Sequence, residues 1–303
     1  MRQNTYYHLG DCYLKTDQKR LARTAFKAAA EIDAVPAVTE DAAYNYAKLA
    51  YELADPFQDA ITTLNNFLKD YPQSPHQTKI NSFLANLYIT TKDYDRALAA
   101  IQRAGLNTPE MRGAYQRICF YRATELFNSR QYQAAIAKYQ EALSYSENNR
   151  ISALSQYWLA ESFYRMLEYD KALKAFEKFR KSSGAANLPE FGFSYYNSGY
   201  AHYKKLDFKN AAVDFRQFVG GISTNDVAVA DAYLRLGDSY LLTSGYLVAA
   251  DFYKKALQNG TAEADYAYYQ RAICLGLAGN RTQKIDELEK LLRNFPNSNR
   301  AEE

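Results

Sequence analysis

The sequence is poor in nearly everything that announces chemistry. Its three cysteines (Cys12, Cys119, Cys274) and three histidines (His8, His76, His202) are scattered over 303 residues. None stands at a metal-ligand spacing, and no Cys/His or Ser/His/Asp arrangement can be assembled from them. The cysteines read as small, buried, unpaired apolar side chains. The 13 glycines and 7 prolines fall well short of the roughly 12% of an average chain, which argues against an all-β fold of tight turns. Nor do the glycines form a P-loop or a dinucleotide-binding fingerprint. Basic and acidic residues number 37 and 34 and are interleaved, so a nucleic-acid footprint is excluded. No apolar run approaches the roughly 18 residues that span a bilayer, and direct membrane insertion is not expected. Met1–Thr5 leads straight into an amphipathic pattern without a signal-peptide core. The chain is therefore cytoplasmic, or periplasmic or outer-membrane associated if an export signal has been removed. No cofactor or metal site is expected, and the chain reads as a non-enzyme.

What is present is apolar and aromatic. Hydrophobic residues make up 48% and charged residues 23%, the balance of a folded protein. Tyrosine reaches 28 and phenylalanine 16, against a single tryptophan. Their placement is periodic. Asp93-Tyr94-Asp95-Arg96-Ala97-Leu98 returns as Gln131–Ile136, Glu168–Leu173 and Asp207–Ala212. Anchored on the small residue, the series is Ala22, Ala60, Ala97, Ala135, Ala172, Ala211, Ala249 and Lys284, in steps of 38, 37, 38, 37, 39, 38 and 35. A large residue precedes each anchor by nine positions (Tyr13, Tyr51, Tyr88, Leu126, Phe163, His202, Tyr240, Leu275), and another follows it by four (Phe26, Leu64, Ile101, Tyr139, Phe176, Phe215, Tyr253, Leu288). Small residues stand three before the first series (Gly10, Ala85, Ala123, Ala160, Gly199, Gly237, Ala272). This three-and-four spacing predicts two helices per unit, the small residues letting their backbones approach. An aromatic before each second helix (Phe57, Tyr94, Tyr132, Tyr169, Phe208, Tyr246) is expected to plug the turn. Pro72 and Pro296, each following an aromatic, mark helix ends.

This pattern resembles the tetratricopeptide repeat over essentially the whole chain. The resemblance implies an all-α fold, a right-handed α-α superhelix of about eight helix-turn-helix units, as a single solenoid over 1–303. The units run over about 3–38, 41–76, 78–112, 115–149, 152–186, 191–225, 229–261 and 264–298. Units ending in aromatic-Pro-x-Ser are similar to those of bacterial cell-envelope proteins, such as the outer-membrane β-barrel assembly lipoprotein and the periplasmic partner of the Tol–Pal system. Departures include Lys48, Arg122 and Arg271 at small or apolar positions, Lys284 at the last anchor, and Lys19 and Arg281 in place of the turn aromatic. The terminal ones fit the polar caps that solenoid ends need. Asn299–Glu303 read as the start of a further unit, so the chain is expected to be a piece of a longer repeat protein.

Tetratricopeptide solenoids bind a peptide or partner segment in the groove lined by their first helices, and that is the function the resemblance implies. The groove positions of units two and three carry no aromatic. Those of units four to six carry Phe120, Phe127, Tyr157, Tyr164, Phe193, Tyr196, Tyr200 and Tyr203, interleaved with Arg117, Glu161, Arg165 and Lys204. Exposed aromatics with arginine nearby are the composition of interface hot spots, so these twelve residues are the candidate site. Alternatively, the stripe packs against neighbouring helices, or its tyrosines stack on sugars as in a glycan-binding helical-repeat protein of a bacterial outer membrane. The Lys/Asn pattern of the family's carboxylate clamp fails at Asn45, Leu49, Ser82 and Asn86. A toroidal hydrolase needs inward carboxylate pairs, and Glu161 is the one acid read on the central groove.

Overall fold

The computed structural model describes residues 1–53, 56–221 and 227–301. Among these it is entirely helical: sixteen α-helices, two short 3-10 segments and no strand. Eight pairs run α1 (Arg2–Lys15) and α2 (Lys19–Ala30), α3 (Pro36–Leu53) and α4 (Phe57–Asp70), α5 (Gln77–Thr90) and α6 (Tyr94–Ala104), α7 (Pro109–Asn128) and α8 (Tyr132–Leu143), α9 (Asn149–Arg165) and α10 (Tyr169–Lys181), α11 (Glu190–Lys204) and α12 (Phe208–Gly221), α13 (Val227–Leu242) and α14 (Tyr246–Gln258), and α15 (Ala264–Leu277) and α16 (Arg281–Asn294). Pro36 and Pro109 open α3 and α7, where a missing N–H costs nothing. Asp93 caps α6 by accepting from the Arg96 backbone N–H at 3.2 Å.

The chain divides into two compact parts, residues 1–126 with 141–148, and residues 127–140 with 149–303. In both, the seven alanine anchors and the large residues four positions later, from Phe26 to Tyr253, are buried. The small first-helix residues work as the spacing requires. A Cβ on Gly10, Gly199 or Gly237 would sit 2.9, 2.9 or 2.6 Å from the ring of Phe26, Phe215 or Tyr253. The last repeat solves the same problem differently. Lys284 replaces alanine, and its stem lies where a Cβ on Gly276 would be, 2.9 Å away. Arg271 is paired with the buried Glu287 at 2.5 Å, and Arg122 with Asp95 and Glu125.

Wherever it is described, the turn inside a pair is a single repeated device. Asp17, Lys92, Arg130, Leu167, Leu206 and Ser244 have left-handed φ between 56° and 63°, and Gly279 has 85°. All seven lie five residues before their anchor. In six of these turns the next N–H donates back to the carbonyl nine before the anchor, as from Glu168 to Phe163 and from Asp207 to His202, both at 2.9 Å. The left-handed residue's own N–H donates three residues back, as from Leu167 to Tyr164 at 2.9 Å. This pair of bonds is the Schellman arrangement, which satisfies carbonyls the ending helix leaves free. Turn aromatics then pack edge-on: Phe127–Tyr132, Tyr164–Tyr169 and Tyr203–Phe208, with centroids 5.4, 5.6 and 5.3 Å apart.

Two expectations are corrected. Phe57, read as a turn plug, is exposed. Cys12, read as buried, is exposed on α1, while Cys119 and Cys274 are buried; Cys12 and Cys274 carry free thiols.

Candidate functional site

The twelve candidate residues fall into both compact parts. In the first, Arg117 is exposed and Phe120 is buried on α7. The remaining ten belong to the second, and they are less open than a bare stripe. Tyr157 and Glu161 are buried; Phe127, Tyr164, Phe193, Tyr196, Tyr200 and Tyr203 are half-buried; Arg165 and Lys204 are exposed. The reading of every ring as exposed is therefore corrected. Each ring leans on its own repeat's second helix or on a neighbour. Tyr157 meets Phe176 and Phe179 at 5.8 and 5.3 Å. Phe193 meets Phe218 at 5.5 Å, Tyr196 meets it at 4.9 Å, and Tyr200 meets Phe215 at 5.3 Å. Phe127 packs edge-on to Trp158 at 5.2 Å.

The polar tips of these rings are tied together across successive first helices. Asn197 on α11 donates to the Tyr157 hydroxyl at 3.0 Å and to Glu161 Oε1 at 2.5 Å on α9. Burial pushes the Glu161 carboxyl up to about 7, against the opposing guanidinium of Arg165, which stands 3.7 Å away. Farther along, Tyr196 (2.8 Å) and Tyr200 both donate to Asp231 Oδ2 on α13. Arg235, one turn on, gives Nε to Asp231 at 3.3 Å, Nη1 to Asp238 at 2.7 Å and Nη2 to Glu263 at 2.8 Å. Asp238 in turn accepts from the Tyr253 and Tyr266 hydroxyls, both at 2.7 Å.

Protonation follows from this wiring. Burial, then neighbouring charges, raise the phenols of Tyr157, Tyr196, Tyr200, Tyr253 and Tyr266, so each remains a donor. Burial opposes the charge on Arg235, but the carboxylates of Asp238 and Asp231 more than offset it and hold its pKa above the ordinary value. Three carboxylates surround one guanidinium, so the cluster carries excess negative charge. Among the described residues, no group of His, Cys, Asp or Glu is arranged to hold a metal ion, and no helix is long and apolar enough to cross a membrane.

Sequence reading stopped short of Asn197, Asp231, Arg235, Asp238 and Glu263. A signal existed for three of them. Asp231, Arg235 and Asp238 stand at i, i+4 and i+7 of α13, one stripe of charge on an otherwise apolar helix. Asn197 and Glu263 have no such pattern; only the stacking of repeats brings them in.

Helix pairs of this length, with a small-to-large contact and the same left-handed residue in seven of their turns, define a helical-repeat protein. Sequence profiles of the tetratricopeptide repeat match residues 3–36, 41–74, 122–186 and 266–298, together more than half of the chain. The chain belongs to the tetratricopeptide repeat family. No curated protein sequence matches it significantly. Among solved structures, the C-terminal part of a tetratricopeptide repeat-containing protein from Cytophaga hutchinsonii is similar, at 17% identity over 85% of this chain and 97% of that one, with a TM-score of 0.52. The MamA protein is similar at 19% identity over 60% of this chain and 92% of its own, with a TM-score of 0.50. At these identities the likeness is one of fold.

Proposed function

We propose that the chain is a non-enzymatic protein–protein interaction scaffold, and that its first-helix face on α9, α11 and α13 takes a peptide or partner segment. The observation that carries this reading is the state of the aromatic residues. Tyr164, Phe193, Tyr196, Tyr200 and Tyr203 keep part of their surface open while second helices and turn aromatics fix their rings. Rings already held in place lose little freedom when a partner covers them, which favours affinity. Arg165 and Lys204 stand exposed beside them as rim charges, the kind that steer encounter. Tyr157 and Glu161 lie too deep to touch a partner and act as support.

The test is selection of peptides from a random display library on the full chain, followed by affinity measurement on variants. Tyr164→Ala and Tyr203→Ala should each weaken the selected peptide about 30-fold, as truncation of a hot-spot aromatic does, with helicity unchanged by circular dichroism. Unchanged affinity in folded variants would remove the face. If the library yields no peptide while a polysaccharide panel yields a ligand sensitive to the same substitutions, the glycan alternative replaces this one.

A further inference from the structure

The turns within repeats five to eight carry a row of leucines that the fold does not use. Leu167 and Leu206 occupy the left-handed turn position and are 70% and 73% exposed. Leu242 and Leu247 flank the next turn, both at 56%, and Leu277 ends α15 at 55%. The left-handed conformation is unfavourable for any residue but glycine, and these leucines gain no burial in return. The same position elsewhere holds Asp17, Lys92, Arg130, Ser244 or Gly279, which suit a solvated turn. The left-handed backbone is common to all these turns; what sets these two apart is a large apolar side chain held in solvent at consecutive turns.

Successive pairs pack side by side, α10 on α11, α12 on α13 and α14 on α15, so these turns fall along one edge of the second compact part. A Lys205–Asp170 ion pair joins the first two turns directly. The charge along the edge is positive. The nearby acids are already engaged: Glu168 by Lys171, Asp170 by Lys205, and Asp207 by Asn210. Arg165, Lys204 and Lys209 stand exposed around the leucines.

We propose that this edge rests on an anionic lipid surface. The leucines enter the boundary between headgroups and acyl chains, and Arg165, Lys204 and Lys209 meet the lipid phosphates. A lipid fits better than a protein because the leucines stand on separate protruding turns. A fluid apolar phase accepts isolated protrusions, whereas a stable protein interface needs one continuous packed area. The binding is peripheral and needs no spanning helix.

The experiment is co-sedimentation of the full chain with vesicles of phosphatidylcholine mixed with phosphatidylglycerol, and with phosphatidylcholine alone. Binding is expected to the mixed vesicles and to weaken in high salt. The double variant Leu167→Asn/Leu206→Asn should lower it at least about tenfold. Asparagine tolerates the left-handed turn, so that protein should melt no lower than the parent. Lys209→Gln, a residue outside the partner face, should lower binding about fivefold at low salt. Tyr203→Ala, on the first-helix face, should leave vesicle binding unchanged, which separates this surface from the proposed partner face. No binding to mixed vesicles, or binding indifferent to the asparagine pair, overturns the proposal. So does a result in which the leucines are needed for a protein partner and not for vesicles.

Discussion

A phenol-to-aspartate clasp between successive first helices is found in each compact part, with different endings. In the first, Tyr7 donates to Asp41, and Asn45, one turn on, donates to the same carboxylate at 3.0 Å. In the second, Tyr196 and Tyr200 donate to Asp231, and the residue one turn on is Arg235. Tyr7 and Tyr196 hold the same place in the repeat, fifteen residues before Ala22 and Ala211. An amide closes the first arrangement locally. The guanidinium carries the second onward to Asp238 and Glu263, and from Asp238 to two more phenols. The network over three repeats needs more than the guanidinium: where the second part has Asp238 and Tyr253, the first has Leu49 and Leu64 at the same places in the repeat, so its clasp stays local.

The largest effect should come from cutting that network at its centre. Arg235→Leu leaves Asp238, 3% exposed, without its cation, and should cost about 3 kcal/mol, at the low end for a broken buried pair because two phenols still hold the carboxylate. Asn45→Leu should cost about 1 kcal/mol or less, since it removes a half-exposed neutral donor. Urea denaturation of both variants sets the contrast, and equal losses would dissolve it.

The glycines sharpen the comparison next. Gly237→Ala pushes a methyl against the Tyr253 ring, whose hydroxyl is tied to Asp238. That ring cannot yield, and the cost should be about 2 kcal/mol. Gly10→Ala meets Phe26, which has no polar tether, so its ring can shift and the cost should be nearer 1 kcal/mol. Melting temperatures should rank in that order.

Redundancy in the network predicts non-additivity. Tyr196→Phe and Tyr200→Phe should each cost about 0.5 kcal/mol, because the other phenol still serves Asp231 Oδ2; together they should cost about 2 kcal/mol. A double-mutant cycle with no coupling term would show that the two hydroxyls act separately.

The smallest effect is pH-dependent. In the fold, Glu161 holds its proton up to about 7, against an ordinary 4.5. A raised pKa stabilises the fold at low pH, and that contribution fades as pH rises through the window from about 4.5 to about 7. Asp214, raised by burial to about 6, slopes the same way, while the lowered pKa of His202 slopes the other. Glu161→Gln should therefore match the parent near pH 5 and be more stable at pH 8. A variant with an unaltered stability–pH profile would mean that Glu161 does not titrate in this window.

The architecture was legible because the core is written in repeats. Anchors, small first-helix residues and large partners recur at fixed offsets, and burial follows them from Ala22 to Tyr253. The face was legible as a stripe but not as a surface. Helical spacing says which side Tyr157 and Tyr196 occupy; it does not say how far a ring sinks against Phe179 or Phe218. Contacts such as Asn197 to Glu161, 36 residues apart, depend on how one repeat leans on the next. The left-handed residues were hidden for another reason. Leucine, lysine and arginine carry no turn signal, and only the shared offset from the anchor betrays them.

That shared offset has a consequence for how the chain can change length. From the carbonyl nine before each anchor, through the left-handed residue, to the anchor itself, spacing is constant wherever the turn is described. The repeat period nonetheless varies between 35 and 39. That slack is taken up outside the turn, in helix length and in connections between pairs such as 182–189, where a left-handed Gly184 and a 3-10 segment absorb extra residues. The turn inside a pair is a fixed coupling, and the stretch between pairs is an expansion joint. Foreign segments grafted into the joints should be carried without disturbing either neighbour, and the same segments placed at the couplings should split a pair.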